Sequence, residues 1–179
     1  TAPQLQADEI YNLLLPELEE IIASGVLPMR WETAESGRVS QAFAYMLYAE
    51  MVMYQNDSAR YPQALNFMKQ IIGDSSYSLN PDFADLWSEN GEWCAESIFE
   101  INYNDDQAQR DWRTSMAAGG TVFPTLCSPN GWGGGEGWDS GADGWGFLPM
   151  RVETYNMYAE NDLRRDVTCW DLRGYSYTE

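Results

Sequence analysis

The chain has 179 residues, with 28 acidic side chains against 10 basic ones, a net charge of −18 and no histidine. Phosphate binding needs clustered Lys and Arg, so nucleic acid and anionic membrane surfaces are disfavoured as partners. Without histidine, the segment lacks the commonest general base and metal ligand and has no Ser-His or Cys-His nucleophile pair. Cys94, Cys127 and Cys169 lie far apart and form no C-x-x-C, which leaves neither a zinc nor a redox motif. No run is apolar for long enough to cross a membrane as a helix. The chain starts in polar sequence without Met and stops without a closing element, so it is expected to be a segment of a longer one.

Residues 6–24 carry Ile10, Leu13, Leu14, Leu18, Ile21 and Ile22 at helical spacing, opened by Asp8 and Glu9 and capped by Gly25. Pro16 falls inside that pattern. An internal proline removes a backbone bond at a cost of about 3 kcal/mol, so a kink or break is expected near Asn12–Leu15. Residues 26–36 read as a loop. From Gly37 the pattern becomes strongly helical, with Val39, Phe43, Met46, Leu47, Met53 and Tyr54 on one stripe and Ala42, Ala44 and Ala49 between them. Tyr61-Pro62 announces another helix, because proline at a first helical position forfeits nothing. That helix carries Leu65, Phe67, Met68, Ile71 and Ile72, with Gly73 expected as a left-handed cap. Joined by a few polar residues, the pair over 37–73 predicts an antiparallel helix hairpin with one apolar seam.

Asn80-Pro81 is expected to open a short helix through Phe83, Leu86 and Trp87, closed by Asn90-Gly91. Residues 98–103 alternate, with Phe99, Ile101 and Tyr103 on one side, and predict a strand. No period survives over 104–148, which hold ten of the fifteen glycines and four of the eight tryptophans. So long an aperiodic connection is functional or disordered, and disordered segments are poor in aromatics. The stretch is therefore expected to be ordered. Pro149–Glu160 returns to helical spacing, Arg164-Arg165 between Asp162 and Asp166 suggests structural ion pairs, and Val167–Leu172 reads as a strand. One domain segment is expected, with a helical frame over 1–103, a Gly/Trp-rich loop over 104–148 and a following region over 149–179.

The stretches GRVSQAFAYMLYAEMVMYQ, YPQALNFMKQII, DFADLWSEN and ESIFEINYND, followed by GWGFLPMRVETYNMYAENDLRRDVTC, resemble the SusD/RagB family in family order. The matches cover most of residues 8–170. The resemblance implies a mainly α fold of tetratricopeptide-like helix hairpins, with long loops and a few short strands. It also implies a noncatalytic, lipid-anchored, outer-membrane surface protein of Bacteroidetes. Such a protein binds glycans and works with a TonB-dependent transporter. Membrane attachment would come through an N-terminal lipid anchor outside this segment. No cofactor is implied.

Sugars present apolar C–H faces that stack on flat rings, and their hydroxyls need amides and carboxylates nearby. Trp132, Trp138 and Trp145, with Asn130, Asp139 and Asp143 as hydrogen-bond partners, fit that chemistry in a glycine-rich loop whose backbone can approach a ligand closely. The same rings could instead plug the loop onto the helices as a small core. Trp112-Arg113 is a second candidate pair, since a guanidinium can brace a ring or reach a hydroxyl. Asp139-x-Gly141-x-Asp143-Gly144 begins like a calcium loop, but its twelfth position is Met150 where a bidentate Glu is required, so no metal is expected. Acidic residues could pair for glycoside hydrolysis, yet no motif singles out a pair. A glycan-binding role is the expectation. A helical-repeat protein scaffold without sugar binding and, more distantly, a glycosidase are the alternatives.

Overall fold

The structure is a computed structural model that describes residues 4–102, 126–130 and 144–169. It is mainly helical and falls into two compact units, residues 1–101 and 102–179. The first unit holds α1 (Ala7–Ser24), α2 (Gln41–Tyr54) and α3 (Tyr61–Gly73). In the second, α4 (Val152–Tyr155) and α5 (Arg164–Thr168) are short.

The hairpin of α2 and α3 is as expected, joined through a 3-10 turn at Ser58–Arg60. Ser40 starts α2 by accepting from the Phe43 N–H at 3.2 Å, and α3 begins with proline in its first turn. The seam, however, is not the one that periodicity picked. Ala42, Ala44, Tyr45, Tyr48, Ala49 and Val52 of α2 are buried, while Val39, Met46, Leu47, Met53 and Tyr54 are exposed. Small residues let α2 approach its neighbours closely, and the two tyrosines fill the space that remains. Tyr45 stacks on Phe67 with centroids 4.3 Å apart, and Tyr48 meets the same ring edge-on at 5.1 Å. Their hydroxyls leave the core satisfied: Tyr45 donates to Gln70 Oε1 at 2.9 Å and Tyr48 to Glu19 Oε1 at 3.4 Å. On α3, Ala64, Phe67 and Ile71 are buried, whereas Leu65 and Ile72 stay exposed.

Leu15 and Leu18 bring α1 to the same core. No break occurs at Pro16, and α1 runs unbroken for 18 residues. Leu15, 2% exposed, and Leu18 pack on either side of the proline, and that burial outweighs one missing backbone bond. Gly25 takes the left-handed conformation at φ 64° and ends the helix, as expected. Gly73 does not play that part. It is the last residue of α3, and Asp74 leaves in extended conformation while its carboxylate accepts from the Ser76 N–H at 2.9 Å.

Beyond α3 the expected short helix is reduced to 3-10 turns at Asp85–Trp87 and Glu89–Gly91, although Asn80 does cap the turn through the Asp82 N–H at 3.1 Å. The expected strand at 98–103 is not formed over the described residues 98–102. Ile98 packs against the core and Phe99 lies 4.6 Å from Phe43, while Ile101 is exposed, so burial does not follow the alternation, and no partner strand is present among the described residues. Tyr103 lies outside the described residues.

Two polar assemblies lock this unit. Arg30 donates to four carbonyls: Ser76 at 2.9 Å, Ala95 at 3.2 Å, Trp93 at 2.9 Å and Cys94 at 2.6 Å. Its guanidinium also lies 5.0 Å from the Tyr77 ring centre. Elsewhere Asp57 accepts from Tyr11 Oη at 3.0 Å and from Arg60 at 2.6 Å, and Arg60 reaches Glu19 at 3.3 Å. The Arg60 hydrogen bond holds the Asp57 carboxyl below the usual range, and burial with the Asp57 bond pushes the Tyr11 hydroxyl up to about 12.

In the second unit the helix expected over 149–160 shrinks to α4, where only Tyr155 is half-buried and little packing sustains a longer one. Val167 and Thr168 belong to α5 and not to a strand, because Asp162 accepts from the Arg164 N–H at 3.0 Å and starts a helix there. Residues 170–172 of that expected strand lie outside the described set. The ion pairs are as expected, Arg164 with Asp162 at 2.6 Å and Arg165 with Asp166 at 2.8 Å.

Candidate functional site

Of the residues that the sequence puts forward for ligand contact, Asn130 and Trp145 are described. Trp132, Trp138, Asp139, Asp143, Trp112 and Arg113 lie outside the described residues. The described part is a neck. Asn130 and Gly144 pair in an isolated backbone bridge, and hydrogen bonds continue below it. The Gly144 N–H donates to the Pro129 carbonyl at 2.9 Å, the Gly146 N–H to the Ser128 carbonyl at 2.9 Å and the Phe147 N–H to the Leu126 carbonyl at 3.0 Å. The two ends of the 131–143 segment are thereby brought side by side.

Glycine is required at this neck for a steric reason. A Cβ on Gly144 would stand 2.4 Å from both the Cβ and the carbonyl oxygen of Ser128, so any side chain would force the two strands of the neck apart. This is a case of a glycine-rich loop needing close backbone approach, which the composition alone could only suggest.

Directly after the bridge, Trp145 is 37% exposed and Phe147 is 66% exposed. Their ring centres are 5.7 Å apart and the planes are tilted by 53°. Trp145 is thus partly exposed, and it has a ring partner that spacing did not identify. The missed signal was the i, i+2 pair of aromatics around Gly146, whose left-handed backbone at φ 62° turns the chain between the two rings. Leu148, Met150 and Val152 continue the exposed apolar run. Such a surface offers flat apolar area beside backbone amides, which suits a ligand with both C–H faces and hydroxyls. Among the described residues no three His, Cys, Asp or Glu side chains gather to hold a metal ion.

The comparisons decide what this resembles. No protein-family model matches the chain, and neither does any curated protein. Solved structures do. Surface glycan-binding protein A from Bacteroides uniformis is 51% identical, over 100% of this chain and 37% of its own, with a TM-score of 0.83. The Bacteroides thetaiotaomicron protein of that name, in complex with laminarihexaose, is 52% identical over 96% of this chain and 36% of its own, at a TM-score of 0.84. A SusD-like protein from Bacteroides fragilis shares the fold alone, at 19% identity over 73% of this chain and 23% of its own, with a TM-score of 0.51. The fold is SusD-like. Its mainly helical character agrees with that of these neighbours, and the chain spans 37% of the length of the B. uniformis protein. In this SusD-like fold, α2 and α3 correspond to the stretches that carry the family resemblance, and the neck follows them in sequence.

Proposed function

We propose that this chain is part of a noncatalytic, cell-surface glycan-binding protein that takes oligosaccharides at the 130–147 loop. In the proposal, a TonB-dependent transporter of the outer membrane then receives them. The observation that carries the reading is the 52% identity, over 96% of the chain, to a surface glycan-binding protein in complex with laminarihexaose. The partly exposed, tilted pair Trp145 and Phe147 supports it, because exposed aromatic surface beside backbone amides suits a sugar face. Trp132 and Trp138, with Asn130, Asp139 and Asp143, supply the remaining contacts. Trp112 and Arg113 form an outlying pair. Catalysis is not part of the reading: binding by ring stacking and neutral hydrogen bonds needs no poised acid or base. Surface location and a lipid anchor outside this segment belong to the same proposal.

Calorimetric titration with laminarihexaose tests it. Trp132→Ala and Trp138→Ala are each expected to weaken binding about tenfold, equivalent to ~1.4 kcal/mol, with the helical circular dichroism intact. Unchanged affinity in both variants would remove the loop as the site. No affinity for any glycan would leave the protein-scaffold alternative.

A further inference from the structure

The first unit carries a second concave site, unrelated to the loop. A cleft of about 330 Å3 is lined by Arg30, Trp31, Glu32, Thr33, Ser76 and Ala95. Its size is at the lower end of small-molecule sites and is suited to a single sugar ring. The floor is rigid, because Arg30 is fixed by its four carbonyl bonds to Ser76, Trp93, Cys94 and Ala95. Trp31 is held as well: its indole N–H donates to the Val39 carbonyl at 2.9 Å, and the Arg38 guanidinium lies 5.4 Å from its ring centre. The lining thus combines an oriented half-buried ring with the Glu32 carboxylate and the Thr33 hydroxyl, whose side chains are both exposed. Such groups can bond a ligand at little cost in their own order.

The charges narrow the ligand. Four of the five Arg30 donors are directed at backbone carbonyls, so this guanidinium has little left with which to clamp an anion. Glu32 in the lining, on a chain of net charge −18, repels one. A ring platform with an acceptor and a hydroxyl suits a neutral polyol. We propose that this cleft is a second saccharide subsite, which takes one uncharged pyranose ring against Trp31, with its hydroxyls bonded to Glu32 and Thr33.

The test is NMR titration of the 15N-labelled protein with laminarihexaose, followed at the Trp31 indole N–H and the backbone amides of Thr33, Ser76 and Ala95. Saturable shifts of all four in the millimolar range are expected. Glu32→Gln and Thr33→Val, both exposed changes that leave the melting temperature in place, should each weaken these shifts severalfold. Glucuronate, a charged pyranose, should produce none at the same concentration. The cleft shifts must also persist in Trp132→Ala, which separates this site from the loop. No shift at the four resonances, shifts that Glu32→Gln and Thr33→Val leave unaltered, or an equal response to glucuronate would each overturn the proposal.

Discussion

Aromatic rings are handled in opposite ways in the two units. In the first, Tyr48 is 1% exposed and Tyr45 is buried with it, both rings on Phe67 and both hydroxyls bonded. At the neck of the second, Trp145 and Phe147 keep 37% and 66% of their surface bare and meet each other at 53°. Rings of the first kind are committed to holding helices together. Rings of the second kind keep part of their surface open to solvent. The contrast is between these two clusters, since Tyr54 and Trp87 of the first unit are exposed as well.

Breaking the frame should produce the largest effect. Phe67→Ala removes the ring that both tyrosines contact, and should destabilise the first unit by about 3–5 kcal/mol in thermal or urea unfolding. Next comes the neck. Gly144→Ala puts a Cβ against Ser128 and should cost laminarihexaose affinity about tenfold or more, in calorimetry, while the helical circular dichroism is kept. If that variant bound normally, the neck would not position the site.

A smaller effect concerns pH. The folded Asp57 carboxyl is held low, so its contribution to stability is present above the unfolded value of about 3.9 and is lost as pH falls through the lower folded value. The Tyr11 hydroxyl is raised from 10.0 to about 12, so its contribution is full below pH 10 and fades between 10 and 12. Melting temperatures across pH should therefore show that Asp57→Asn flattens the acid limb and Tyr11→Phe the alkaline one. The smallest effect should come from Leu65→Ala, a neighbour of buried Ala64 that is 55% exposed. A loss below about 1 kcal/mol is expected, against several for Phe67→Ala two positions on.

These last two residues show what could be read in advance. The existence of α1, α2 and α3 was legible, because apolar residues recur at helical intervals and Pro62 and Gly25 punctuate them. The buried face of α2 was not. Its sequence is apolar nearly all round, so periodicity favoured the bulky Met46, Leu47 and Met53, treated the alanines as spacers and passed over Tyr45 and Tyr48. What decided the seam was close approach through alanine and a hydrogen-bond partner for each tyrosine, both of which lie on other helices. Strands were over-read for a related reason. Alternation at 98–102 does not follow burial, since Ile98 and Phe99 are both half-buried and Ile101 is exposed, and a strand exists only with a neighbour to pair with. At the site, Trp145 could be picked from composition, whereas Phe147 needed the backbone geometry around Gly146. Gly144 could be picked as a loop glycine, but its necessity came from Ser128, sixteen residues earlier in the chain.

The Arg30 clamp has a consequence in time as well as in space. Its carbonyl partners lie 46 to 65 residues further along the chain, while α2 and α3 are joined by one short turn. Local contacts close cheaply and distant ones do not, so the hairpin can form before the clamp has anything to grip. The 93–95 backbone would then be the last part of the first unit to order during folding. Arg30 would be the latch that completes that order.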